Sequence, residues 1–126
     1  LGGAVLEHHN PSHHGRDEAK IQPLKPLEKA LVSWFGDLLG QLKSNEKGTA
    51  LLDNTTVLFG SNLGNANAHD PRNLPIFLAG GGYRHGRYVA YKKDNNTPLC
   101  NLFVNMLNRM NIETDSFATS SGELAW

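Results

Sequence analysis

The sequence predicts an α/β protein in which helices cover both faces of a mostly parallel sheet. Short apolar segments that end in glycine or asparagine alternate with two longer segments whose apolar residues recur at helical spacing. Such an alternation of strands and helices is typical of a parallel sheet with helices on its faces. A length of 126 residues suits one domain, and we expect a loosely ordered polar tail over residues 113–126.

The first two predicted elements are a strand over residues 3–6 and a helix over residues 26–43. The strand is short and apolar (GAVL), and the polar residues 7–22 that follow it are predicted to be loop. The helix begins at Pro26, because a proline in the first turn gives up no intrahelical hydrogen bond. Its apolar stripe consists of Leu27, Leu31, Trp34, Phe35, Leu38 and Leu42.

Three strands and one helix are predicted for the rest of the chain. Residues 55–59 are apolar or β-branched at both alternating sets of positions, which indicates a strand buried on both faces. Residues 74–82 (LPIFLAGGG) contain a second buried strand, and residues 87–91 (RYVAY) a short edge strand. The last helix covers residues 97–112, with Thr97 as its N-cap and a proline directly after it.

Composition excludes several classes of partner. The chain carries 12 basic and 12 acidic residues without a basic stripe, so we expect no nucleic acid partner. It has no apolar run long enough for a membrane span. Cys100 is the single cysteine, which excludes an internal disulfide. The chain starts without Met or a signal peptide, so we expect a fragment whose upstream segment, from the same protein, is a partner.

Histidines are concentrated in one short segment, LEHHNPSHHGRD at residues 6–17. Neutral imidazole is a common ligand of zinc and neighbouring metals. A further histidine follows the strand at residues 55–59, and ligands of open α/β sheets bind at the carboxyl ends of strands. The sequence therefore predicts a divalent ion (zinc, iron or manganese). The predicted ligands are His9, His13, His14 and His69.

Other polar residues of this segment are weaker candidates. Glu7 and Asp17 flank the histidines and are candidate ligands or hydrogen-bond acceptors for the imidazoles. Ser12 is a candidate nucleophile with a histidine as its base, a metal ligand, or a hydrogen-bond partner of a histidine. A solvent-exposed loop without function is the alternative for residues 8–14. No helix follows the glycines at 80–82 directly, so we expect no nucleotide cofactor.

The run His9-Asn10-Pro11-Ser12-His13-His14 matches the pattern H-x-x-S-H-H, and the chain resembles the HXXSHH family of uncharacterised bacterial proteins. The resemblance covers most of the 126 residues and corresponds to the C-terminal half of that family. Members of the family usually look exported. The resemblance therefore implies an exported or periplasmic protein, although this chain carries no signal.

A looser resemblance links the chain to the C-terminal half of the alkaline phosphatase superfamily, which includes the sulfatases. It implies an alkaline-phosphatase-like α/β fold of which this chain is the C-terminal part. Carried over by position, His69, six residues before Pro75, resembles a metal ligand, and His13 or His14 resembles the histidine of the first metal-binding element. The chain departs from the pattern where the superfamily has Asp-His.

At that departure the chain has Asn62-Leu63, so Asn62 offers only a neutral oxygen. The superfamily's nucleophile lies near the N-terminus of its domain, which makes Ser12 less attractive in that role. Two hypotheses follow. One is a metal-dependent hydrolase of small anionic phosphate or sulfate esters with an altered metal site. The other is a non-catalytic binding or structural protein whose histidines hold a structural ion or form a polar network.

Overall fold

The computed structural model describes residues 8–44, 51–92 and 96–126 of the chain. The predicted strand over residues 3–6 and the candidate Glu7 lie outside these ranges. Within them the chain forms helices, one 3₁₀ turn and two strands. In chain order these are α1 (His9–Ser12), α2 (Glu18–Lys43), the 3₁₀ turn (Leu51–Asn54), β1 (Thr56–Gly60), β2 (Ile76–Gly80) and α3 (Cys100–Arg109).

The two strands are antiparallel, so the predicted mostly parallel, alkaline-phosphatase-like sheet is wrong. Thr56 of β1 lies opposite Gly80 of β2, and Phe59 lies opposite Phe77. Parallel strands need a crossover connection, which is usually a helix. The connection over residues 61–75 instead folds back on itself, and it contains no helix. It returns the chain beside β1 in the opposite direction.

The predicted edge strand over residues 87–91 is also absent from the described structure. Gly80, Gly81 and Gly82 all have positive φ values, which turn the chain out of the sheet directly after β2. A side chain at Gly80 would collide with the carbonyl oxygen of Thr55, so both its conformation and its surroundings require glycine. Residues 87–91 then run outside the ladder.

Helix α2 begins earlier than predicted and ends where predicted, at Lys43. The Asp17 side chain accepts a hydrogen bond of 2.9 Å from the Ala19 N–H, and this cap starts the helix at the next residue. Pro26 therefore lies inside the helix, together with Pro23, rather than in its first turn. No helix of the described residues has the length and apolar character needed to cross a membrane.

Aromatic contacts attach α2 to one face of the sheet. The ring of Phe35 stacks on that of Phe59 in β1, with centroids 4.9 Å apart, and lies 6.0 Å from that of Phe77 in β2. Such a pair contributes about 0.5–1.5 kcal/mol beyond its buried area. The first four residues of β1 are only half-buried, so the predicted burial on both faces is wrong.

Helix α3 is shorter at both ends than the predicted span over residues 97–112. Its N-cap is Leu99 instead of Thr97. At the other end Asn111 has φ +61°, and its N–H donates to the Asn108 carbonyl while the Ile112 N–H donates to that of Leu107. These two bonds form a Schellman motif, which ends a helix by satisfying its last carbonyl groups.

A face of α3 made of three asparagines holds the residues that follow the helix. Asn101, Asn105 and Asn108 are spaced to lie on one side of α3. Asn105 accepts from the Leu124 N–H (2.7 Å) and donates to the Leu124 carbonyl (3.2 Å). Asn108 pairs in the same way with the main chain of Thr114, at 2.8 and 3.1 Å. We call residues 113–124, which this asparagine face binds, the C-terminal strap.

Replacing Asn101 should loosen the strap. Asn101 is 3% exposed, accepts from the Ser121 N–H and donates to the Glu123 carbonyl. We expect Asn101→Ala to lower the free energy of unfolding in urea by about 1–3 kcal/mol, because these groups lose their partner. Proteolysis within the strap should also become faster.

The matched control for this prediction is Asn10→Ala, at an exposed asparagine of α1. It should change the free energy of unfolding by less than about 0.5 kcal/mol. Equal effects of the two substitutions would contradict the structural role of the asparagine face.

Candidate functional site

Two loops that are distant in sequence meet beside the end of the sheet. The first, the histidine loop, consists of residues 8–17 and contains α1. The second, the β1–β2 loop, consists of residues 61–75. α2 starts directly after the histidine loop, and α1 packs against α2. Phe35 of α2 contacts both β1 and β2. Helix α2 therefore links the histidine loop to the two strands that the β1–β2 loop connects.

Two polar contacts join these loops. The Gly15 N–H donates a 2.7 Å hydrogen bond to Asn67 Oδ1. His13 Nε2 lies 3.2 Å from His69 Nε2, although the two residues are 56 positions apart in the chain. The structure therefore brings together one predicted ligand from each loop.

The histidine loop presents His13 through a single helical turn and a reversal. The His13 N–H donates to the Asn10 carbonyl at 3.2 Å, which closes the turn. Gly15 and Arg16 then adopt positive φ values of 56° and 68°. The Asp17 N–H donates to the His14 carbonyl at 2.8 Å, so the chain enters α2 directly after the reversal.

The β1–β2 loop holds His69 in a tight turn. The His69 N–H donates to the Ala66 carbonyl (3.2 Å), and Asn65 pairs with Asp70 as an isolated antiparallel bridge. His69 itself has φ +50°, a left-handed conformation that costs a residue with a side chain about 1–2 kcal/mol. Asp70 forms a two-pronged ion pair with Arg72, at 2.8 and 2.9 Å. Local bonds therefore fix the backbone that carries the imidazole.

The surroundings of His13 favour its neutral form. Partial desolvation lowers the pKa of His13 below the ordinary 6.5, and the charges of His69, His9 and Lys20 lower it further. The ring of His9 stands edge-on to that of His13, with centroids 4.9 Å apart. A neutral imidazole keeps one nitrogen lone pair, which can accept a hydrogen bond or bind a metal.

The spacing of the two imidazole nitrogens matches the spacing of two zinc ligands. Zinc–nitrogen distances are about 2.0–2.1 Å in a tetrahedron, which places two ligand nitrogens roughly 3.3 Å apart. The observed separation of His13 Nε2 and His69 Nε2 is 3.2 Å. In the part of the chain that the structure describes, no group of three or more His, Cys, Asp or Glu side chains is arranged to hold an ion. The pair thus offers at most two candidate ligands.

The remaining predicted histidines have other contacts. The ring of His9 makes a T-shaped contact with that of His13, and within the described residues the two rings form no hydrogen bond with each other. His14 Nδ1 accepts a 3.0 Å hydrogen bond from the Arg16 N–H, which belongs to its own turn. Successive side chains of a short turn point in different directions, so the structure assembles two of the four predicted histidine ligands into a pair.

The weaker candidates make local contacts. Ser12 is buried, and its hydroxyl donates a 2.6 Å hydrogen bond to the His9 carbonyl, so this proton is engaged with the backbone. Asp17 caps α2. Asn62 is exposed and lies on an open groove of about 290 Å³ beside the β1–β2 loop, together with apolar residues such as Leu58 and Ile76.

Sequence reasoning missed two residues of this site. Asn67 fixes the histidine loop to the β1–β2 loop, and Lys20 contributes positive charge beside His13. Asn67 stands in a segment rich in asparagine and glycine, SNLGNANAHD, where turn formation is the common role of asparagine. Nothing in that composition distinguishes Asn67 from its neighbours.

Comparison with known proteins adds no relative. Neither a family model, nor a curated protein, nor a solved structure matches this chain. The resemblances to the HXXSHH family and to the alkaline phosphatase superfamily therefore stay predictions. Function has to be inferred from the residues of the site.

The histidine pair predicts a specific titration. We expect the His13 ring protons, followed by NMR, to titrate below pH 6.5, and His69→Ala to raise this midpoint because one positive charge beside His13 is removed. Lys20→Gln should raise it by less, since the effect of Lys20 on His13 is smaller.

The lowered pKa also sets the sign of the pH dependence of stability. Because the pKa of His13 is lower in the folded chain, the unfolded chain binds a proton at His13 more tightly than the folded chain does. The free energy of unfolding is therefore highest above about pH 6.5, where His13 is neutral in both states. It falls as the pH drops from 6.5 towards the folded-state pKa of His13. A His13 midpoint above 6.5, or one unchanged in His69→Ala, would contradict the pairing.

Proposed function

We propose that this chain binds a divalent metal ion between His13 and His69 and hydrolyses a small anionic ester, a phosphate or a sulfate, in a metal-dependent reaction. The observation that carries the proposal is the 3.2 Å separation of the two Nε2 atoms. Without an ion, that distance is a hydrogen bond in which one ring nitrogen donates and the other accepts. The same distance also matches the spacing of two nitrogen ligands of one ion.

The number of protein ligands leaves coordination positions of the proposed ion open. Structural zinc sites are closed by four protein ligands, whereas catalytic sites have three and keep a position for water or substrate. The described residues offer two imidazoles and no group of three or more His, Cys, Asp or Glu side chains, so water or substrate would fill the remaining positions. A bound ion supplies a Lewis acid and lowers the pKa of water. Imidazole ligands suit zinc and iron better than magnesium or calcium.

The residues around the pair support an anionic substrate. Lys20 is close enough to lower the pKa of His13, and it is exposed, so its ammonium group can meet a phosphate or sulfate. Ser12 donates its hydroxyl proton to a backbone carbonyl, so water rather than Ser12 is the proposed nucleophile. Asn67 holds the Gly15 N–H and thereby keeps His13 facing His69.

A non-catalytic role is the second candidate. The Gly15–Asn67 hydrogen bond and the histidine pair join the two loops whether or not a bound ion catalyses a reaction. In that case the imidazoles hold the loops as a polar network or through a structural ion. Metal content and turnover together separate the two candidates.

The first prediction concerns metal content. After loading with zinc and removal of free metal, we expect the full chain to retain about one equivalent, measured by mass spectrometry. His13→Ala and His69→Ala should each lose it, since each removes one of two ligands. His8→Ala is the matched control, because it removes a neighbouring histidine that is outside the pair, and it should retain the metal.

Cobalt gives an independent readout of the same site, because its visible absorption reports a four-coordinate environment without any need for turnover. Equal metal loss in all three variants, or retention by His13→Ala and His69→Ala, would contradict the proposed ligands. Bound metal without turnover on a panel of phosphate and sulfate esters would reject hydrolysis and leave the non-catalytic role.

The second prediction concerns Asn67 as a positioning residue. Asn67→Leu removes the acceptor of the Gly15 N–H, so the histidine loop should be held less well and metal affinity should fall by roughly tenfold. Asn67→Asp keeps an oxygen at that place and should restore most of the affinity. Thermal unfolding of the metal-free variants serves as the control for a general loss of structure. Equal affinity in both variants would contradict the positioning role.

A further inference from the structure

The chain that follows β2 carries a local excess of positive charge. The formal charge of the whole chain is zero, but residues 71–93 contain no acidic residue. Their basic residues are Arg72, Arg84, Arg87, Lys92 and Lys93. Arg72 is paired with Asp70, so the uncompensated charges lie beyond the strand. We call residues 83–92, which follow the three glycines at the end of β2, the basic loop.

Contacts at both ends attach the basic loop to the rest of the protein. The ring of Tyr83 lies 5.9 Å from that of Trp126, and the Arg109 guanidinium lies over the Tyr83 ring, 5.5 Å from its centroid. At the other end the Tyr91 hydroxyl donates a 3.1 Å hydrogen bond to the Ala125 carbonyl. These contacts hold the two ends of the loop, and the residues between them form neither helix nor strand.

Between its two ends the basic loop projects into solvent. Residues 84–90 are all exposed, and Tyr88 is 93% exposed, more than any other large hydrophobic side chain of the described residues. In the described part of the chain, Arg84, Arg87 and Lys92 pair with no carboxylate. The loop therefore offers a partner two guanidinium groups, an ammonium group and an uncovered aromatic ring.

These groups together define the chemistry of a partner. Guanidinium groups bind sulfate, phosphate and carboxylate oxygens through parallel N–H donors, and an exposed aromatic ring stacks on a base or on the C–H face of a sugar. Short basic segments are typical of heparin and nucleic acid surfaces. Nucleic-acid-binding domains are basic overall, whereas this chain has no net charge. Anionic membranes are bound by basic clusters beside a membrane span or on an amphipathic helix, and the basic loop is neither.

We propose that the basic loop binds an anionic polysaccharide, a chain of sugar rings that carries sulfate or carboxylate groups. Arg84 and Arg87 bind the anionic groups, and Tyr88 stacks on a sugar ring. The two arginines are three residues apart, a span of up to about 10 Å, so they reach two separate anionic groups. Lys92 adds a further positive charge on the same loop.

The basic loop is a separate surface from the proposed metal site. Gly80 pairs with Thr56 at one end of the ladder, and Ile76 pairs with Gly60 at the other. The basic loop lies beyond Gly80, whereas the β1–β2 loop, which carries His69, connects Gly60 to Ile76. Four residue steps of a strand span roughly 13 Å, so the two surfaces leave the ladder at opposite ends. Polysaccharide binding is therefore tested without a metal ion and without turnover.

Fluorescence anisotropy of labelled heparin, titrated with the full chain at low salt, tests the proposal. We expect saturable binding that NaCl weakens, because salt screens exposed charges. Arg84→Gln combined with Arg87→Gln should raise the Kd by about tenfold or more, since two charge-assisted contacts are lost. Tyr88→Ala should raise it by about fivefold through loss of stacking. The matched control is Lys29→Gln combined with Lys43→Gln, which removes the same charge from exposed positions of α2 and should change the Kd by less than about twofold.

Circular dichroism shows whether each variant folds, and Tyr88→Ala alone decides the test if the double arginine variant does not. Failure of the wild type to bind heparin, or an equal loss of binding in the loop variants and the α2 control, would overturn the proposal. Binding of uncharged dextran as tight as that of heparin would do the same. Tighter binding of poly(dT) or of phosphatidylserine vesicles would also overturn it, because the partner would then be a nucleic acid or a membrane.

Discussion

The contact between the histidine loop and the β1–β2 loop is the interaction on which the site depends. His13 and His69 lie 56 positions apart, so only the meeting of the two loops brings their Nε2 atoms to 3.2 Å from each other. The Gly15–Asn67 hydrogen bond holds the loops together independently of the imidazoles. The antiparallel return of β2 places the β1–β2 loop at the end of the sheet, and the Asp17 cap starts α2 immediately after the histidine loop. Both features are required for the two loops to meet.

Polar contacts and exposed apolar surface characterise the rest of the described structure. Large buried apolar side chains are few there: Leu24, Leu102 and Val104. The asparagine face of α3 binds the C-terminal strap through the main chain, much as a neighbouring strand would. The apolar stripe of α2 stays partly exposed, and an open apolar groove lies between α2 and β1. The sparse core thus accompanies both the hydrogen-bonded strap and the exposed apolar stripe of α2.

The sequence predicted elements whose pattern is local and missed features that depend on long-range geometry. Helical spacing of apolar residues located α2 up to Lys43, and β-branched residues located β1. The direction of β2 was not predictable from the strand pattern. The asparagine- and glycine-rich connection between the strands predicts turns, but it does not fix the direction in which the next strand runs. Residue type identified His13 and His69 as candidates. Which histidines meet depends on the left-handed residues that follow His14, and the role of Asn67 depends on the loop it faces.

The central claim is that His13 and His69 hold one ion between them. A crystal of the zinc-loaded protein, measured at the zinc absorption edge, tests this claim most directly. The account predicts one anomalous peak about 2.0–2.1 Å from both Nε2 atoms, with the two imidazoles still facing each other. Imidazoles that are separated in the crystal, or a zinc peak elsewhere with none between them, would contradict the account.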